Sequence, residues 1–321
     1  MQGITLQNEL ASATIMPAQG GRVASLRSLL TGVEFLWQAP TPWSLRQPGE
    51  DANFAHGAAA GIEECLPTVA RCEAAGTPLP DHGDFWQLPW QVLAVSANAA
   101  TLRAEGFSLP LAFEKTYTLR GAALCLESKI TNIGAEDTSF LYAAHPLLAV
   151  DEGDRIVLPD ECANLALFDS RHTRLGHKGT QLSWPQAALA SGEGVVDLSL
   201  IGAFDDDTAE MLYTPRLLHG VCGLYRSAYR QGISLYFSED SLPWMGLWIC
   251  CGGWPDDGSP RQYAFAPEPT SAPCGSLSQA LAESSATVLS PGASFNFSLE
   301  FALSDSGIDL ADFTARTLHR A

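Results

Sequence analysis

The sequence has 321 residues, 46% of them apolar, enough to bury a core in one large β domain or two ordinary ones. Its formal charge of −18 argues against a nucleic-acid partner, since phosphate contacts need clustered Lys and Arg, and disfavours a highly anionic substrate. No basic stretch followed by an apolar run opens the chain, and apolar runs such as residues 242–251 are too short for a bilayer, so a soluble cytoplasmic protein without membrane contact is expected.

Along the chain the apolar period is two almost everywhere. Residues 111–119 place Leu111, Phe113, Tyr117 and Leu119 on one face, with Lys115 among them. After Gly121, Leu124, Leu126 and Ile130 alternate with Cys125, Glu127, Lys129 and Thr131. The turn at residues 134–137 then leads into another strand, 139–144. Further short strands are expected at 156–158, 233–237, 246–250, 262–266 and 294–303. Only residues 308–319 read as a helix, capped by Ser306 or Asp305. Many short strands, frequent Gly and Pro, and no repeat or composition shift indicate an all-β protein, a large antiparallel β-sandwich. A single domain over residues 1–321 is expected. Segments 38–51 and 77–83 read as surface loops, where binding residues commonly sit.

The eight cysteines do not suggest a disulfide framework. Cys125 lies inside an alternating strand, and Cys250 and Cys251 are adjacent in another, as buried reduced thiols would be.

Five of the seven histidines have plain readings. His319 is terminal, His172 and His177 share a polar loop with no third ligand nearby, and His56 and His219 lie beside glycine without an obvious partner. His82 differs, sitting in the aromatic loop Pro80-Asp81-His82-Gly83-Asp84-Phe85-Trp86. His145 ends the apolar run Phe140-Leu141-Tyr142-Ala143-Ala144 and precedes Pro146, which suits a pocket rim. Glu268 stands between Pro267 and Pro269, so its backbone is extended and stiff. Burial there would raise its pKa toward that of a useful base. Glu63 and Glu64 are adjacent and on a strand must point to opposite faces, so one of them can reach a pocket. Asp205-Asp206-Asp207 reads as a solvated turn. Phosphate-loop, nucleophile-elbow, His-Glu-x-x-His and Cys-x-x-Cys patterns are all missing, so neither a metal nor another cofactor is expected.

In these segments the sequence resembles the galactose mutarotase-like superfamily, the aldose 1-epimerases. The matching stretches are Gly20-Gly21-Arg22-Val23-Ala24-Ser25-Leu26, Gly61-Ile62-Glu63-Glu64-Cys65-Leu66-Pro67, His82-Gly83 with Pro89-Trp90, His145, and Glu268. The resemblance implies a β-supersandwich, a monosaccharide pocket and no cofactor. It also implies roles: Glu268 as base on the anomeric hydroxyl, His145 as acid to the ring oxygen, and His82 as a hydrogen-bonding partner of the sugar. Asp81, Glu64, Trp86 and Trp248 are the expected substrate contacts, with Trp90, Trp244 and Trp254 as further candidate platforms.

Departures from the family narrow the expectation. Asp84-Phe85-Trp86 stands where the sugar-phosphate branch has Phe-Ala-Arg, which removes a cation. Ala144 and Pro146-Leu147-Leu148 flank His145 where the galactose-active branch has Asn and Tyr-Phe-Asn, and no Asp-His-Asn segment is found. The expected activity is anomer interconversion of a neutral monosaccharide. The alternatives are a sugar-binding or sensing protein of the same fold and a hexose-6-phosphate 1-epimerase. Either a monomer or a homodimer fits the sequence, and residues 242–254 could be an interface or core.

Overall fold

The computed structural model describes residues 3–40, 49, 54 and 59–320. Strand makes up 47% of the chain and helix 11%. A ten-stranded antiparallel sheet faces an eight-stranded one. Loop segment 38–51 lies largely, and His56 wholly, outside the described residues.

The eight-stranded sheet contains the pattern that is clearest in the sequence. Leu111–Arg120 pairs with Ala123–Asn132, which pairs in turn with Ser294–Leu303. Leu124, Leu126 and Ile130 point inward from this sheet, as alternation requires. They meet Leu148, Leu212, Leu247 and Phe265 from the ten-stranded sheet in one continuous core cluster. Lys115, the charged residue on the inward face, is also fully buried there. Its Nζ lies 2.6 Å from Glu64 Oε2 across the two sheets and 4.3 Å from the centre of the Trp90 ring. A buried ammonium demands such a partner, because uncompensated burial of a charge is costly.

The middle of the ten-stranded sheet runs Gly61–Cys65, Ala143–Ala149, Tyr263–Thr270, Trp244–Cys251, Thr208–Tyr213 and Asn164–Ser170. Within residues 242–254, the strand Trp244–Cys251 therefore lies in the sheet interior, with Met245, Leu247, Ile249 and Cys251 in the core cluster. Two expected strand ends are corrected here. The strand 139–144 is broken at Leu141 and Tyr142, whose N–H groups bond Pro67 O and Ser271 Oγ; pairing resumes at Ala143. His145 thus lies within a strand. Glu268 does too, because its strand continues through both prolines to Thr270.

The C-terminal helix is Leu310–His319, capped by Asp309, whose carboxylate accepts the Asp312 N–H; Ser306 and Asp305 lie upstream of it. All eight cysteines are free. His219 does have a partner, Glu161 Oε2 at 3.1 Å. Asp207 is more than a solvated turn residue, since it pairs with Arg171 and Arg261. No helix among the described residues is long and apolar enough to cross a membrane.

Candidate active site

The sheet register brings the two central groups together. Ala143 pairs with Thr270 and Leu148 with Phe265, and the same register sets His145 opposite Glu268. Between these pairs the prolines at 146, 267 and 269 carry no N–H, so the ladder is interrupted where the two side chains project. His145 Nε2 lies 3.5 Å from Glu268 Oε1. On the next strand Gly246 is the partner of Glu268. A Cβ at Gly246 would sit 2.6 Å from Met211 Cε and 3.2 Å from Glu268 Oε2, so glycine is what leaves room for the carboxyl group.

This face of the sheet points away from the sandwich core and floors a cavity of about 250 Å³. His82, His145 and Glu268 stand together in its lining, which also includes Phe168 and Asp169. Trp248 and Trp254 form an edge-to-face pair, their ring centres 6.0 Å apart. Gln262 Oε1 accepts the Trp248 indole N–H at 2.6 Å, which fixes that ring as part of the wall.

His82 comes from the aromatic loop and adopts φ +57, a left-handed conformation uncommon for a residue with a side chain. Its ring is stacked on Phe54 at 3.9 Å, and its centre lies 5.2 Å from that of His145. Asp81 Oδ1 takes the His82 Nδ1–H at 2.9 Å, and Asp81 Oδ2 accepts the Phe54 N–H at 2.9 Å. Burial opposes ionisation of Asp81, yet these bonds hold its carboxyl below the usual range. The pairing makes Nε2 the acceptor nitrogen of a neutral His82 ring.

The two central groups are perturbed in opposite directions. Burial pushes Glu268 up to about 8. Burial, with the His82 ring nearby, pushes His145 down to about 3. Between those values the pair holds one proton, which rests on the carboxyl.

Four substrate contacts expected from sequence fare differently. Trp248 lines the cavity. Asp81 acts behind His82, outside the lining. Trp86 is buried beneath Phe54, edge-on at 5.2 Å, with its indole N–H bonded to Asp81 O, so it supports the wall from behind. Glu64 points into the sandwich core, where Lys115 holds it. Its neighbour Glu63 pairs with His145 in the register and shares the face of the site. Phe54, Met211, Tyr213, Gln262, Phe168 and Asp169 line the cavity without having been singled out in the sequence. Strand parity relative to Glu268 would have found Met211 and Tyr213 once the pairing was known.

Comparison with known proteins agrees with this architecture. A sequence model of the aldose 1-epimerase family matches residues 2–173, a span that includes His82 and His145 and stops short of Glu268. No curated protein matches the chain in sequence. Among solved structures, the Slr1438 protein from Synechocystis sp. PCC 6803 superposes with a TM-score of 0.68 at 18% identity, covering 94% of this chain and 96% of that one. A galactose mutarotase related enzyme from Lactobacillus acidophilus gives 0.65 at 16% identity, over 95% and 98% of the two chains. A galactose mutarotase-like protein from Lactobacillus casei gives 0.62 at 18%, over 94% and 100%. At such identities the likeness is one of fold.

Proposed function

Since this chain belongs to the aldose 1-epimerase family, we propose that it interconverts the anomers of a neutral aldose by acid–base ring opening at His145 and Glu268. The observation that carries this reading is the buried pair, 3.5 Å apart and holding one proton at neutral pH.

Ring opening takes a proton from O1 and gives one to the ring oxygen O5, while the C1–O5 bond breaks. A single proton distributed over a base and an acid meets that need without net exchange with solvent. When sugar hydroxyls hydrogen-bond the Glu268 carboxyl they favour its ionised form, and the proton passes to His145. Glu268 then accepts the O1 proton and His145 protonates O5. At the aldehyde stage Glu268 is again neutral and acidic, and His145 again an uncharged imidazole, the form the dry site prefers. The site is therefore complementary to the open-chain intermediate rather than to the closed ring. The aldehyde turns about C1–C2, and the reverse transfers close the ring on its other face. His82, held by Asp81, is available to hydrogen-bond the sugar, and Trp248 offers an aromatic wall to its C–H face.

A neutral substrate is supported by the lining, which among the described residues contains no lysine or arginine and has carboxyls at Asp169 and Glu268. The test is anomeric-proton NMR on freshly dissolved α-anomers of glucose, galactose, xylose and fucose, with glucose 6-phosphate beside them. The expected result is acceleration of at least one neutral sugar and little of the phosphate. Preferential turnover of the phosphate would overturn the neutral assignment.

A further inference from the structure

A second cavity lies on the reverse side of the larger sheet. Met211, Tyr213 and Trp248 turn toward the candidate active site, so by alternation Glu210, Ile249 and Cys251 turn the other way. There, beneath the segment from Val196 to Asp206, they line a space of about 290 Å³, room for a small organic molecule. Glu210, 1% exposed, is incompletely satisfied. Its Oε1 accepts the Nε–H and an Nη2–H of Arg174, each at 2.8 Å. Its Oε2 is shielded from solvent and has no hydrogen-bond partner among the described residues. Burial keeps the carboxyl above its usual range even with Arg174 and the Ser170 hydroxyl near it. A buried carboxylate oxygen without a donor is costly, and the cavity is where a donor can enter.

Charge balance decides what kind of donor fits. Arg174 is matched by Glu210, and Asp197 by Arg155 at 3.0 Å. Asp206, exposed at the edge of the cavity, is left over. Its Oδ2 accepts the Ala203 N–H at 2.9 Å, and it makes no ion pair among the described residues. A Cβ at Gly202 would collide with that Oδ2 and stand 3.9 Å from Cys251 Sγ, so glycine there lets the carboxylate lean over the cavity beside Cys251. The lining therefore combines one unmatched negative charge and one unmet acceptor with the apolar side chains of Leu198, Leu200 and Ile249. An anion would add to the charge. Among the described residues no three His, Cys, Asp or Glu side chains are grouped as a metal ion requires. A neutral alcohol would meet the acceptor and leave the charge unmatched, whereas an ammonium group answers both.

We propose that this cavity binds a small aliphatic amine, its ammonium group donating to Glu210 Oε2 in the field of Asp206 and its alkyl chain lying against Leu198, Leu200 and Ile249. The site is on the opposite face of the sheet from His145 and Glu268 and does not depend on what those two residues do.

The test measures binding of n-butylammonium chloride by calorimetry, with 1-butanol as the neutral analogue of similar size and potassium chloride as a simple cation. The proteins are the wild type, Glu210→Gln and Asp206→Asn. The wild type is expected to bind butylammonium at least about tenfold more tightly than 1-butanol, the order that one charge-assisted hydrogen bond contributes. Glu210→Gln should abolish that preference. Asp206→Asn keeps an oxygen for the Ala203 N–H and should weaken butylammonium by about threefold, the size of an exposed charge interaction. Because Asp206 is exposed, that variant decides the matter if Glu210→Gln does not fold. Failure to bind butylammonium, or equal binding of 1-butanol, would overturn the proposal. So would equal affinity in the wild type and every folded variant. Displacement by an equal concentration of potassium chloride would also overturn it, marking a general counter-ion effect of a chain with net charge −18.

Discussion

Glu268 draws its chemistry from dry surroundings. Burial alone raises its carboxyl to about 8, whereas burial together with the neighbouring His82 ring depresses His145 to about 3. The sign of the resulting pH dependence follows from the proton count. The pair keeps one proton between those values and loses it as pH rises through about 8, so the apparent second-order rate constant should stay level to pH 7 and fall about tenfold per unit well above pH 8. Rates corrected for spontaneous mutarotation across pH 5 to 10 check this. A profile that rises through pH 8 would mean that the ionised carboxylate with a neutral His145 is the working state. At this scale the sequence was informative about identity and less so about state. Glu268 stands out between two prolines, but the absence of a neighbouring Lys or Arg among the described residues, which lets burial act unopposed, depends on strands far away in sequence.

The prolines show where element-level reading stops. Pro146, Pro267 and Pro269 suggest strand ends when each strand is taken alone. In the sheet Pro146 stands opposite Pro267 and Pro269 opposite Ala144, within one gap in the ladder, so both strands continue and present His145 and Glu268 from rigid backbone. That compensation exists only between partners and is invisible in either segment. The adjacent pair Glu63 and Glu64 was legible to a point: opposite faces were certain, and the inward Lys115 in a distant strand was the available signal for which carboxylate turns to the core. The register shift between Leu167 and Asp169, which brings the adjacent residues Phe168 and Asp169 both into the cavity lining, left no such trace. Gly246 carries an element-scale prediction. Gly246→Ala places a methyl group against Met211 and the Glu268 carboxyl. It should cost about 1–3 kcal/mol by overpacking and lower turnover more than it weakens sugar binding. Chemical denaturation and steady-state kinetics measure the two effects, and unchanged turnover would show that the carboxyl position is not critical.

Across the whole molecule, the two sheets share one hydrophobic cluster. The Lys115–Glu64 pair joins the sheets through this cluster, directly behind the strand that flanks His145. Lys115→Met leaves a buried carboxylate without its cation and should destabilise the protein by about 3–5 kcal/mol. Adding Glu64→Gln should restore much of that loss, because the uncompensated charge is then gone. Urea midpoints of the two single variants and the double variant decide this, and strictly additive losses would mean that the pair is not energetically coupled. The fold class was legible because alternation in strands such as Leu111–Arg120 is a local property. Which face of the larger sheet bears the site was not, since both faces of its central strands are buried.

The most direct test of the central claim is polarimetry of freshly dissolved α-anomers of the most responsive sugar, with wild-type protein and with Glu268→Gln at equal concentration near pH 7. Glu268→Gln keeps the size of the side chain and removes its proton chemistry, so turnover should fall by about 10²–10⁴-fold while sugar affinity changes little. Anomer exchange by Glu268→Gln at the wild-type rate would contradict the assignment of the His145–Glu268 pair as the chemical centre.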